Sequence, residues 1–488
     1  MLIRKGRNMS EQKPSHGLAG KFNGWLFGLF DSEMFSAKQI LKMFYPLLLD
    51  QFFIHLISVL STSLVSSVGQ EALAAVSMVN TLSFVITALL FALCAGGGVI
   101  IAQAKGSGDE KRLRNAVGTT AMLSCGSTLV IALTLYVLAG PVINLIYPNT
   151  EPMLKEYAIH YLKLNMLSQI PFALFYAIFT AFRSVGDSKS SLVLTLYINI
   201  SHLLLCLLFI NGMGMGVTGN GLSFIVARVI GAFVAMWWLF KPMGALHVRP
   251  RDFFCLDKAA ARPIIRLSIP FCVEQVLFQG GMVAVQGYLS SWGTTPEMGT
   301  MALAAHAVAS SLLNLYHASS NCITQMTSTV CGQCIGAGRI DLSKRYKVSM
   351  IKGGRLVLFL TVLVLYPLTP LLMKLYNPNP DAVGMIYLML SVGVIPLPLI
   401  WCNAFVTPAM MCSAGDVQYP TYTSLAAMLL CRVALGYVLT ITLNLGPVGI
   451  WLGMLAEWLL RVVLMEQRYQ SGKWMRFIDR QKKAEAAC

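Results

Sequence analysis

Residues 68–80 read VGQEALAAVSMVN and residues 298–310 read MGTMALAAHAVAS, nearly one phrase written twice, 230 positions apart. The same offset carries QAKGSG at 103–108 to QCIGAG at 333–338, and each copy runs on into charged residues. SVGD at 184–187 returns as SAGD at 413–416, and Gly216 and Gly219 return as Gly446 and Gly449. Nearer the start of each half, Pro46 with Asp50 and Gln51 answers Pro270 with Glu274 and Gln275 at an offset of 224, a longer loop before Ala302 making up the difference. The chain is two copies of one unit.

Composition says where that unit lives. Of 488 residues 56% are hydrophobic and only 12% charged, with a mean hydropathy of +0.66. That is more apolar side chain than a soluble core can hide. Stretches of about 20 apolar residues, enough to cross about 30 Å of hydrocarbon, recur throughout. They do not alternate as barrel strands do, which leaves helices as the spanning structure. The expected spans are 40–66, 72–102, 116–140, 158–181, 190–211, 219–240, 264–290, 301–330, 356–373, 383–410, 420–442 and 448–466. Six spans per copy is an even number, so both copies enter the bilayer in one orientation, related by an axis along the membrane normal. The expected fold is an all-α integral membrane protein of twelve transmembrane helices in two six-helix bundles about a pseudo-two-fold axis. Its parts are a cytoplasmic arm 1–39, an amino-terminal lobe 40–240, a cytoplasmic linker 241–266, a carboxy-terminal lobe 267–466 and a cytoplasmic tail 467–488.

A net charge of +16 invites a nucleic-acid reading, which the placement of the basic residues argues against. They gather in the arm, in 105–114, 241–266 and 339–355, and in the tail, whereas 211–218 and 291–300 hold none. This is the positive-inside bias, and it puts both termini in the cytoplasm of a cell with the chain in its plasma membrane. Gly24–Phe30 is too short for a signal-peptide core and reads as an interfacial segment. No HExxH, GxSxG, Walker or dinucleotide pattern occurs, so neither an enzyme nor a cofactor is expected. Cys331 and Cys334 form a lone CxxC, read as packing. Gly106 with Gly108 and Gly336 with Gly338 read as turns after the second and eighth spans.

Three acids lie inside spans, Asp50, Glu274 and Glu457. Burying each costs at least about 2.5–3.5 kcal/mol on insertion scales. Asp50 lies eight residues past Lys42 and Glu274 eight past Arg266, roughly 12 Å along a helix from a cation. Either carboxylate could bind Na⁺, take up a proton, or pair with Arg228 or Arg432. Glu457, four residues before Arg461, has the spacing of an intrahelical ion pair. Gln51, Gln275 and Gln279 are neutral candidate ligands, His55 could share protons with Asp50, and Asn199, His202 and His306 are further polar side chains in spans. Hydrogen bonding between helices is the competing role for all of them.

Taken together these motifs resemble the multidrug and toxin extrusion (MATE) transporters over nearly the whole chain. They are Pro46, VGQEALAAVSMVN, VIIAQAKGSGD, RSVGD at 183–187, GMGVTG at 214–219, IPFCVEQVLFQGG at 269–281, GTMALAAHAVAS and TVCGQCIGAG at 329–338. The resemblance implies two six-helix lobes, a central cavity, and export of cationic or amphipathic small molecules in exchange for Na⁺ or H⁺; the chain is expected to be a monomer. Many members carry an Asp eight residues before the glycine matching Gly69; here that residue is Ser61, which moves the expected coupling towards Glu274. Two alternatives stay open, a flippase for a lipid-linked precursor and a membrane sensor or scaffold that moves nothing.

Overall fold

Among the described residues all regular structure is helical. The computed structural model describes residues 28–66, 70–146, 152–241, 246, 248–253, 256–374, 376 and 378–479, without the side chains of 55–66, 70–75, 77, 81, 85, 251, 252 and 296. The first half contributes α1 (Ala37–Ser66), α2 (Gln70–Ser107), α3 (Glu110–Val137), α4 (Pro152–Ser184), α5 (Ser188–Cys206, widening into a π-helical end, Leu207–Gly212) and α6 (Gly216–Leu239). The second contributes α7 (Lys258–Ser290), α8 (Pro296–Gly336), α9 (Ile340–Lys374), α10 (Pro380–Val394 and Leu397–Ser413), α11 (Gln418–Ala427, continuing through π-helical Met428–Leu435 and Val438–Thr442) and α12 (Pro447–Gln470). Ten of these are long and apolar enough to cross a membrane, and α10 makes an eleventh span, bent by 54°. With α1 the count is twelve. The bend in α10 falls where Pro396 and Pro398 remove donors from the helical ladder.

The acids that follow the glycine turns start helices. Asp109 accepts the Arg112 N–H at the head of α3, and Asp187 accepts the Ser190 N–H at the head of α5. Each satisfies a donor that the first helical turn leaves open. Gly108 (φ +74°) and Gly338 (φ +75°) take the left-handed turn that ends α2 and α8. Their partners, Gly106 and Gly336, are not turn residues as their spacing suggested. Both are still helical and lie where α2 and α8 cross.

Gly96, Gly97 and Gly98 do not break α2 either. A Cβ on Gly96 would lie 2.3 Å from Ser268 Oγ of α7, one on Gly97 2.3 Å from Thr120 Oγ1 of α3, and one on Gly98 2.9 Å from Ser184 Oγ of α4. Three consecutive residues point about 100° apart around a helix, so three glycines admit three neighbours to backbone distance. This makes α2 the first lobe's main contact with the second, through α7 and α8. Each lobe's first helix also leans across the seam: α1 packs on α5 of its own lobe and on α8, and α7 packs on α11 and on α2.

Residues ahead of α1 dock on the opposite lobe. The Phe30 ring is buried against Gly353 of α9, so it packs inside the protein rather than lying in the interface; residues 24–27 are outside the described ones. Ser349 Oγ donates to Leu29 O, Arg345 Nη2 to Asp31 O, and the Arg339 guanidinium bridges Glu33 and Asp341. Its hydrogen bonds to Asp341 and then to Glu33 hold that guanidinium above its ordinary pKa.

Candidate functional site in the interlobe chamber

At the cation-rich end the two lobes meet in reciprocal, two-fold-related contacts. A Cβ on Gly106 would lie 1.9 Å from Gln333 O, and one on Gly336 1.9 Å from Gln103 O. Gln103 Nε2 donates to Ser413 O at 2.7 Å, and Gln333 Nε2 donates to Ser184 O at 3.0 Å. Each glutamine therefore reaches from the second helix of its lobe to the end of the fourth helix of the other. The repeated QxxG of the sequence is a two-fold seal, and the paired contacts express the pseudo-two-fold axis.

Behind this seal lies a chamber of about 370 Å³ between the lobes. Its first-lobe wall includes Phe91 of α2 with Tyr176 and Arg183 of α4, and its second-lobe wall includes Phe271 and Glu274 of α7, Gln325 of α8 and Arg461 of α12. Phe91 and Tyr176 face each other with ring centroids 4.4 Å apart. The walls thus offer aromatic faces, hydroxyls, one carboxylate and two guanidinium groups.

Glu274 is the outermost member of a buried ionic chain. Arg461 Nη2 stands 3.7 Å from Glu274 Oε1, Arg461 Nε 3.5 Å from Glu457 Oε1, and Arg432 Nε 2.7 Å from Glu457 Oε2. Two acids and two arginines balance, and the intrahelical Glu457–Arg461 spacing is realised. Glu457 is 1% exposed and Glu274 25%. Glu274 Oε2 also accepts the Thr421 hydroxyl at 3.2 Å. A carboxylate offers about four acceptor sites, so one hydroxyl and one distant guanidinium leave capacity facing the chamber.

Asp50, the counterpart in the first lobe, is 1% exposed and is not among the chamber's lining side chains. Thr195, Gln51 and the charge of Arg183 act on it, yet neither carboxylate oxygen makes a well-formed hydrogen bond among the described residues. Arg228, expected as a partner for one of these acids, instead donates to Ser168 Oγ at 2.7 Å and stacks over Phe172 and Phe224. Arg432, the other expected partner, went to Glu457.

The remaining candidates are dispersed. Gln275 is exposed on the outer face of α7, and Gln51 and Gln279 are half-buried. Asn199 donates to Thr195 O of its own helix. His202 stacks on Phe224 at 4.0 Å, with Nε2 3.3 Å from Cys206 Sγ. His306 Nδ1 accepts Trp451 Nε1 at 3.1 Å. His55 and Ser61 lie on α1, but their side chains are outside the described residues. Arg183, Arg461 and Gln325 are chamber residues that sequence reading did not single out as a site; the RSVGD motif named Arg183 without giving it a role. Among the described residues no His, Cys, Asp or Glu group could hold a metal, and Cys331 and Cys334 are buried packing residues.

The MatE family profile matches residues 46–208 and 270–438, once in each half and together well over half of the chain. The chain belongs to the MatE (MATE) family. This MATE chain is 24% identical over 461 residues to the probable multidrug resistance protein NorM of Thermotoga maritima, covering 90% of this chain and 93% of that one. It is 24% identical to the probable multidrug resistance protein YoeA of Bacillus subtilis, covering 82% and 86%. In fold it is similar to a multidrug resistance MATE transporter of the MOP superfamily in an outward-facing conformation, with a TM-score of 0.79 at 20% identity over 91% of this chain and 96% of that one. It is also similar to a MOP superfamily transporter from Pyrococcus furiosus, with a TM-score of 0.78 at 20% identity over 90% and 96%. The ten to eleven apolar helices of spanning length among the described residues, together with these relatives, make this MATE chain a multi-pass membrane protein.

Proposed function

We propose that this chain is a secondary antiporter that exports amphipathic small molecules in exchange for Na⁺ or H⁺, working as a monomer in the plasma membrane with both termini cytoplasmic. The observation that carries the proposal is Glu274: a carboxylate in the chamber between two pseudo-symmetric lobes, held by one hydroxyl and the far end of a balanced ion chain. The relatives' names, multidrug resistance proteins, support the substrate class.

With the termini cytoplasmic, the Gln103/Gln333 seal closes the chamber on the cytoplasmic side. Rocking the lobes apart there would expose Glu274 to a substrate from the cell. Na⁺ or a proton arriving from outside would occupy the same carboxylate and release that substrate, so the two ligands compete for one charge. Aromatic walls with Glu274 and Arg461 on the second-lobe side and Arg183 on the first-lobe side suit a molecule with apolar rings and a polar or charged group better than a simple cation.

The test uses purified protein in liposomes with an imposed Na⁺ or proton gradient and a fluorescent amphipathic dye. Dye should move against its own gradient only when the ion gradient is present. Movement that ignores both ion gradients would refute the exchange.

A further inference from the structure

The start of α7 carries Lys258, Arg262 and Arg266 at intervals of four residues, so all three share one helix face. They line a cavity of about 660 Å³ between α7 and the start of α11, whose apolar wall includes Ile265 and Ile269 and whose α11 side is Gln418 and Tyr422. Among the described residues no carboxylate lines this cleft or forms an ion pair with any of the three cations. Ile269 is 57% and Tyr422 59% exposed on the outside of the bundle, where hydrocarbon is their only favourable surrounding.

We propose that this cleft binds one anionic phospholipid from the adjacent leaflet, with its phosphate among Lys258, Arg262 and Arg266 and an acyl chain along Ile265, Ile269 and Tyr422. Three cations with no acidic partner among the described residues, at the headgroup end of a span, attract negative lipid, and a zwitterionic headgroup brings no net charge to meet them. Flexible basic side chains reach from the helix to the phosphate level while their stems stay apolar. The site lies on the two helices that hold the chamber carboxylate. Arg266 is eight residues before Glu274 on α7, and Tyr422 follows Thr421, the Glu274 partner on α11. The occupant fills the outer gap between these helices and so sets the spacing at which Thr421 meets Glu274. The lipid site stands on the cleft alone and does not depend on the exchange mechanism.

The test is native mass spectrometry of the whole protein released from nanodiscs of phosphatidylcholine with a minor share of phosphatidylglycerol. The parent should retain one phosphatidylglycerol in preference to phosphatidylcholine. Replacing Lys258, Arg262 and Arg266 by Gln should lower that retention by about tenfold or more. Gln418→Glu, which places a negative charge at the exposed rim, should lower it while leaving every cation in place. Replacing the exposed Lys38, Lys105 and Lys189 by Gln makes the same change in net charge elsewhere and should leave retention unaltered. Equal retention of both lipids, or undiminished phosphatidylglycerol in the cleft variants, would overturn the proposal. Displacement of the lipid by millimolar inorganic phosphate would overturn it too, by showing a small-anion site.

Discussion

One methyl group at Gly336 tests the seal. A Cβ there would sit 1.9 Å from Gln103 O, and since real Cβ atoms keep at least 3.0 Å from such neighbours, α2 and α8 must part by about 1 Å. The obstacle is backbone carbonyl, so no rotamer change relieves it. Overpacking of this kind costs about 1–3 kcal/mol, which at about 1.4 kcal/mol per tenfold moves the balance between sealed and parted states by roughly five- to more than a hundredfold. Parting also stretches the Gln103–Ser413 and Gln333–Ser184 bonds, so the loss is concerted. Spin labels on Ser107 and Ala337, exposed residues just beyond the crossing, report the separation by electron–electron distance measurement. The parent should show one short distance, and Gly336→Ala a second, longer population. Gly106→Ala should do the same, and the double variant should cost less than the sum because both methyls are relieved by one movement. Gly126→Ala, with open space around its Cβ position, is the control. An unchanged distance distribution in Gly336→Ala would refute the reasoning.

Other expected outcomes follow from the same contacts. Arg432→Ala and Glu457→Ala each strand a buried charge and should lower stability by about 3–5 kcal/mol, while the double variant costs well under the sum; thermal melts in detergent measure all three. His306→Phe leaves Trp451 Nε1 without its acceptor and should cost about 1–3 kcal/mol while ion-driven transport survives, a split read by melting and liposome uptake together. Phe30→Ala should lower the melting temperature by emptying the pocket against Gly353, with a cost of about 3–5 kcal/mol for a buried aromatic ring.

The architecture was legible because it rests on local rules: apolar runs of spanning length fix helices, and the repeated phrases fix two lobes. Glu274 stood out because a lone acid is costly in an apolar span, and the structure places it in the chamber. What the sequence did not disclose was partner choice. Arg228 and Arg432 looked equally able to meet an acid, yet helix rotation points one at Ser168 and two phenyl rings and the other at Glu457. Gly106 and Gly336 looked like turn residues because charges follow them, whereas the left-handed turn needs only the second glycine of each pair and the first serves a contact with the other half of the chain. Arg183 was visible in its motif, but nothing in the chain's order shows that its side chain lines a chamber with Glu274. Residues 29–36 carry no pattern that predicts docking on α9 of the other lobe.

The central claim is that the Glu274 charge couples the two ligands. In liposomes with an inward Na⁺ or proton gradient, Glu274→Gln should retain the fold and lose gradient-driven dye export, leaving only movement down the dye's own gradient, while Glu274→Asp keeps part of the coupled rate. Export by Glu274→Gln at the parent rate and with the parent ion dependence would contradict the account.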